Sequence, residues 1–551
     1  MTSSSSPTTV YRAKAIHTMD AANPRPAAVA VADGRITAVG DVAELASLGG
    51  ATVDDRFADH VITPGFVEAH CHTFGGGLWQ FTYCGYFDRW GPDGRHWPGC
   101  RTLDAVLDRL REAAAELADP TEPLIAWGLD PIYFAGERLV AVHLDQVSTE
   151  RPIFVLHASI HLATVNTAMM QADNIGPDTL MDGVPKDGSG NPIGELQEPA
   201  AMGLAITGAS RLFGSILSEQ ALANFGLLAR NAGVTTMTDL GSTSLVRDDV
   251  VTKLETAINA ESFPARVSVF HNPGGVIGSL ADEVALVLER RSRSTDKLRL
   301  GNVKFVLDGS IQGFTARLNP PGYLGDRPNG LWLVPPEQVA ERLQAFHDAG
   351  LLVHVHCNGD QAVDVFLDAA ETVLAANPRA DHRHTVQHCQ LTTRAQYERI
   401  KALELCVNLF ANHTYYWGDQ HMSTTVGPER AATMNAAATA LELGIPLSIH
   451  SDSPVTPLSP LRVVSSAVNR ATATGHVLGP DERINVTEAM TAATIGAAYQ
   501  LKMDDEVGSL AVGKRADFAV LDDDPFGGEP EALADIGVWG TVLGGVAQPA
   551  Q

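Results

Sequence analysis

The chain has 551 residues, 45% hydrophobic and 19% charged, a balance that fits a globular enzyme and excludes wholesale disorder. Its formal net charge of -26 would repel phosphates, so neither nucleic acid nor an anionic membrane is expected as a partner. No apolar stretch is long enough to span a bilayer, and the opening MTSSSSPTT lacks the basic and apolar regions of a signal peptide, so a loose tail and a cytoplasmic location are expected.

From the N-terminus, RPAAVAVADGRITAVGD places two short apolar runs around an Asp-Gly turn, the pattern of a hairpin. Near the other end, VGSLAVGKRADFAVLDDDP has the same texture of short strands broken by glycines. Residues 1–60 and 501–551 are therefore expected to meet in one small β-sandwich, with residues 61–500 as a closed domain between them.

That middle region alternates apolar strands with helical stretches, the signature of a parallel α/β architecture. Eight strands are predicted: VITPGFVEAH, GVTTMTDLG, RVSVFHN, NVKFVLDG, LLVHVHCNG, RHTVQHCQ, LCVNLFAN and IPLSIHSDSP. With helices such as PEQVAERLQAFHDAG and AATMNAAATALELG between them, they suggest a (β/α)8 barrel of the TIM type. Residues 78 to about 220 exceed that count and read as an insertion after the first strand that caps the barrel mouth. The six cysteines form no C-x-x-C pair, and reduced core thiols are expected.

Active sites of such barrels sit at the C-terminal ends of the strands. The first strand delivers His70 and His72, two residues apart and so on one side. The fifth ends with His356, the sixth with His388 and the eighth with Asp452. Hydrogen-bonded core histidines are the bland reading of any one of these. Four imidazoles and a carboxylate at one mouth are better satisfied as ligands of a divalent metal. Lys304, inside VKFVL, is a costly ammonium for a central strand. It either pairs with Asp308 or Asp239, reaches solvent, or is a neutral amine that captures carbon dioxide as a carbamate able to bridge two metals.

The order His-x-His, Lys, His, His, Asp resembles the metal-dependent amidohydrolase superfamily. PGFVEAHCH, VKFVLDGS, HCNGD, QHCQ, SDSPV and GSLAVGKRADFAVLDDDPF are similar to the branch containing the N-substituted formamide deformylases. The resemblance implies that His70, His72 and Asp452 hold one metal, His356 and His388 a second, and Lys304 the bridge. Two zinc ions per chain are thus the expected cofactor, with carbon dioxide bound as the lysine carbamate.

Remaining candidates are substrate contacts. NHTYYWGDQH, with Tyr416 and Trp417, is either a surface loop with a hydrophobic anchor or an aromatic wall over the metals. His161 would reach the substrate from the insertion, or else be a satisfied histidine at a helix start. His450, sharing a strand face with Asp452, is a supporting partner or a substrate contact. Glu195 and Glu198 read as a solvated helix start, and Arg430 as the partner of a nearby acid. The expected activity is hydrolysis of an amide-type carbon–nitrogen bond, possibly of an N-substituted formamide, through a metal-held hydroxide, with Asp452 moving the proton. A mononuclear deaminase is the first alternative, and a non-catalytic scaffold on the same fold the second. The expected partner is a small-molecule amide, with a homo-oligomer left open.

Overall fold

The computed structural model describes residues 7–119, 121–134, 138–274 and 278–551. Residues 1–6 of the expected tail lie outside these, and Thr9 already opens a strand. Strands from the two ends of the chain join in one seven-stranded sheet, where Phe518–Leu521 pairs antiparallel with Thr52–Pro64. The hairpin forms as read: Ala28–Ala32 pairs with Arg35–Gly40, and Asp33 and Gly34 take the positive φ values of 51° and 73° that a two-residue turn of this hand requires. The sandwich expected from the sequence appears as this single sheet, packed around Tyr11, Phe57 and Phe518.

The eight predicted strands form one parallel sheet in chain order: β1 (Phe66–Glu68), β2 (Val234–Ser242), β3 (Arg266–His271), β4 (Leu298–Val306), β5 (Val353–Cys357), β6 (Thr385–His388), β7 (Cys406–Leu409) and β8 (Leu447–Ile449). Strands covered on both faces bury nearly every residue, which is why they read as apolar runs rather than alternating ones. Beyond β1 and β8 the sheet closes on itself. Cys71 and Ser453 form a parallel bridge, and the His72 amide donates to the Ser453 carbonyl at 2.9 Å. The closure is therefore at the mouth, among the predicted site residues.

The first predicted strand is two. Val61–Pro64 belongs to the terminal sheet and Phe66–Glu68 to the barrel, with Gly65 between them. A Cβ at Gly65 would come within 1.9 Å of Thr235 Oγ1, so only glycine lets the chain cross from one sheet to the other against β2. AATMNAAATALELG likewise divides, into helices Pro428–Ala432 and Ala437–Glu442.

Between β1 and β2 lies a five-stranded sheet that includes Leu124–Leu129 and Ile153–His157 as parallel neighbours. Helix Ile206–Ser215 packs on it, burying Ala209 and Leu212. All six cysteines are free and buried. Among the described residues, no single helix is long and apolar enough to cross a membrane.

Candidate active site

Asp452 is the centre of the mouth. It follows β8 in a left-handed backbone conformation (φ 53°), as does His388 at the end of β6 (φ 73°), and such strain in non-glycine residues persists where the surroundings over-determine it. Asp452 Oδ1 lies 3.2 Å from His72 Nε2 and 3.4 Å from His70 Nε2, and Oδ2 lies 3.6 Å from His388 Nδ1. Oδ1 is buried without a properly directed hydrogen bond. Burial pushes the Asp452 carboxyl up, but His72, His450 and Lys304 outweigh it and hold the group below its ordinary value.

Behind β1, Glu68 fixes the closure. Its carboxyl oxygens accept from the Ser451 amide (3.1 Å), the Ser451 hydroxyl (2.8 Å) and the His70 amide (3.3 Å). Burial nevertheless pushes its pKa up to about 8.

Lys304 is 1% exposed, and its amine donates to His70 Nε2 at 3.2 Å. Neither acid weighed as its partner pairs with it. Asp239 accepts from the Thr73 amide and hydroxyl. Asp308 accepts from the amides of Arg317, Asn358 and Gly359 and is pushed up to about 7 by burial. Burial lowers the Lys304 amine to about 7, so at neutral pH much of it is uncharged.

On the other side, His388 Nε2 lies 3.0 Å from His356 Nδ1. His388 Nδ1 faces His450 Nε2 at 3.2 Å, and His450 Nδ1 faces Asn408 Oδ1 at 3.0 Å. With both nitrogens so engaged, and its pKa lowered to about 3 by burial, His450 is a neutral supporting partner behind His388. His356 Nε2 faces both the Gly309 carbonyl at 3.2 Å and the Asn358 amide nitrogen at 3.0 Å, so the ring can carry its proton on either nitrogen, and Nδ1 lies beside His388. A divalent cation fits this donor set. Imidazole nitrogens and a carboxylate with an unsatisfied buried oxygen converge, and His70, His72 and Asp452 present ligand atoms within 4.8 Å of one another.

The insertion contributes more than the sequence suggested. His161 precedes the strand Leu162–Val165 and is not at a helix start. Its Nδ1 bonds Glu198 Oε2 at 2.6 Å, and its ring lies 5.6 Å from that of His356. Glu195 and Glu198, read as a solvated helix start, are both buried, and Glu195 pairs with Arg138. Arg430 does meet an acid, Asp360, at 3.0 Å.

The aromatic segment after β7 is the helix His413–Gln420, not a loop. Trp417 is 2% exposed, stacks on His413 at 4.4 Å and donates its indole N–H to Asp130 at 2.9 Å. Tyr416 meets Phe87 edge-on. Neither lines the cavity of about 320 Å³ beside His72, whose floor is Thr73 and Asp239 and whose walls, Phe154, Leu156, Met202 and Leu212, come from the insertion.

Sequence reading missed three residues that support the candidate site, Glu68, Gln387 and Asn408, and assigned a fourth, Glu198, to the surface. The available signal was a polar side chain inside an otherwise apolar strand: Glu68 in FVE, Gln387 in TVQH, Asn408 in CVNL.

Comparison with known proteins agrees with this geometry. Protein LONG AFTER FAR-RED 3 of Arabidopsis thaliana is 28% identical over 92% of this chain and 85% of its own length. An N-substituted formamide deformylase of Arthrobacter pascens is 25% identical over 96% of each chain. An uncharacterized metal-dependent hydrolase of Pyrococcus horikoshii shares the fold with a TM-score of 0.69, at 20% identity over 95% of this chain and 99% of that one. The model of the Amidohydrolase family matches residues 58–547, the barrel together with strands of the terminal sheet, so the chain belongs to that family of hydrolases.

Proposed function

We propose that the protein hydrolyses the amide bond of a small, neutral N-substituted amide, with N-substituted formamides as the leading class. In this reading His70, His72 and Asp452 would hold one divalent ion, His356 and His388 would hold a second, and a carboxylated Lys304 would serve both, with zinc as the metal. The observation that carries it is the convergence of His70 and His72 on the buried, unsatisfied Oδ1 of Asp452, with His388 beside Oδ2 and an apolar cavity next to His72. The Arthrobacter pascens relative, named for deformylating N-substituted formamides, favours the substrate class. Six free, buried thiols fit a reducing, cytoplasmic setting.

When bound, the metal supplies Lewis-acid polarisation of a carbonyl and a water acidified toward neutrality. The rest falls to the chain. Asp452, held as a carboxylate by its neighbours, takes a proton from the attacking water at Oδ2, the oxygen left over when Oδ1 faces the cation beside His70 and His72, and delivers it to the leaving nitrogen. The apolar walls from the insertion seat the substrate's carbon substituent and exclude water, which strengthens every charge interaction at the mouth. His161, oriented by Glu198, stands beside His356 to contact the substrate's polar end.

The test is a panel of N-substituted formamides, acetamides and charged dipeptides, offered to metal-reconstituted protein with amine release and metal content measured together. Turnover confined to neutral amides is the expected outcome. Metal-loaded protein that releases amine from none of the amides would sink the reading.

A further inference from the structure

Two uncharged amides lie under the predicted ligands without touching the mouth. Gln387 on β6 and Asn408 on β7 are both fully buried. Gln387 Oε1 faces His70 Nδ1 at 2.7 Å and Asn408 Nδ2 at 2.9 Å, while Gln387 Nε2 faces His354 Nδ1 at 2.8 Å. Asn408 Oδ1 faces His450 Nδ1 at 3.0 Å, and His450 Nε2 faces His388 Nδ1 at 3.2 Å.

These contacts form one continuous chain from His70 to His388. Because every link has one donor and one acceptor, the chain has only two self-consistent polarities, and both amides must turn over together to pass between them. In one, the amide oxygens accept, so His70, His450 and His388 all carry their proton on Nδ1, and Nε2 of His70 and of His388 is a bare lone pair at the mouth. In the other, both Nε2 atoms carry a proton there and repel a cation. Two donors at the ends of the chain favour the first: the Lys304 amine 3.2 Å from His70 Nε2, and His356 Nδ1–H 3.0 Å from His388 Nε2, the tautomer set when Asn358 Nδ2 donates to His356 Nε2.

We propose that Gln387 and Asn408 are positioning residues that lock the tautomers of His70 and, through His450, of His388, so that both present Nε2 to the metal. This rests on the metal-site reading above and adds to it a single hydrogen-bonded device serving ligands of both proposed ions. A carboxamide suits the task because it supplies a neutral acceptor and a donor in fixed relation. Such partners behind a ligating histidine typically set metal affinity by about 10–100-fold.

Two measurements decide it. The first is competition for Zn²⁺ against a chromophoric chelator, with Gln387→Met, Asn408→Leu and Gln387→Glu compared with wild type. The Met and Leu variants should bind about 10–100-fold more weakly. Gln387→Glu, which keeps an acceptor for His70, should restore affinity to at least the wild-type value. Equal affinity in all four proteins overturns the lock. The second needs no variant and so survives any folding defect: neutron diffraction from wild-type crystals, with the deuterons located. Deuterium on Nδ1 of His70, His450 and His388 is expected, and deuterium on Nε2 of His70 or His388 overturns the proposal. Wild type that takes up no Zn²⁺ would instead sink the metal-site reading, and the neutron map would still judge the polarity of the chain.

Discussion

Glu198 accepts the Nδ1 proton of His161 across 2.6 Å, and it does so from a left-handed backbone conformation with φ at 66°. That conformation costs about 1–3 kcal/mol and is held by its surroundings. Part of the reason is visible at Gly309, where a Cβ would come within 2.5 Å of Glu198 Oε1. The insertion's carboxylate thus packs directly on the loop after β4. Burial opposes charge on His161, yet Glu198 more than offsets it and raises the ring's pKa.

Glu198→Gln should therefore lower kcat/KM about tenfold or more, since a hydrogen bond to a charged group is worth ~1.5–3 kcal/mol, with metal content unchanged. The pH profile carries the sign. A raised pKa keeps His161 protonated to higher pH, so any activity that depends on its proton falls as pH rises through that value. In the Gln variant this alkaline limb should move to lower pH. An identical profile and rate would make the pair purely structural.

Asp452→Asn keeps the shape and one oxygen donor but cannot carry a proton. Folding and most of the metal should remain, while kcat falls by about 10²–10⁴-fold. Elemental analysis beside steady-state kinetics checks both halves. A variant within tenfold of wild type would assign the proton transfer to another group.

The architecture was legible in the sequence because its cause is local. Parallel barrel strands buried on both faces must be apolar runs, and the proposed ligands sit where those runs stop. The exceptions have long-range causes. Glu198 looked solvated because its partner lies 37 residues away, and the left-handed turn that buries it leaves no compositional mark. Trp417 looked like a pocket wall because aromatics gather at barrel mouths, but its partner Asp130 is 287 residues distant in another part of the fold. The break at Gly65 was hidden because a strand that changes sheets keeps its apolar pattern on both sides of the crossing.

Lys304→Ala should be metal-poor and inactive, with partial rescue by short carboxylic acids plus metal, since a diffusible carboxylate lacks the effective concentration of a tethered one. The amine's pKa of about 7 adds a pH test. Only the neutral amine attacks carbon dioxide, so in metal-free protein the capacity for capture should be half-maximal near pH 7 and fall about tenfold per unit below it. Incorporation of ¹³C-bicarbonate, followed by NMR across pH 6–9, reads this directly. Wild-type metal content and rate in the Ala variant would make Lys304 a structural residue.

Trp417→Ala should act on stability more than on substrate binding. The indole is buried, and its loss leaves a cavity worth ~3–5 kcal/mol. It also strands Asp130, which burial already pushes up to about 6. Denaturant unfolding should show the loss, and Trp417→Phe should recover most of the packing while leaving Asp130 without its donor. A rise in KM with unchanged stability would restore the ring to the pocket wall.

The cavity beside His72 gives the sharpest test of substrate shape. Ala209 lies on the helix Ile206–Ser215 and lines this space with Leu212 and Met202. Ala209→Phe should fill much of the about 320 Å³ without displacing a ligand. Amides with a methyl substituent should then keep their rate, because they never used the far end of the cavity. Amides carrying butyl or aryl groups should lose the burial of those carbons, worth ~0.8 kcal/mol per methylene, or roughly a 100-fold fall in kcat/KM for a four-carbon group. The loss should appear mainly in KM, since contacts remote from the reacting carbon are felt equally in the ground and transition states. Equal losses for small and large amides would mean that the substituent lies elsewhere, with the larger cavity bounded by Trp79, Arg89 and Tyr416 the next place to look.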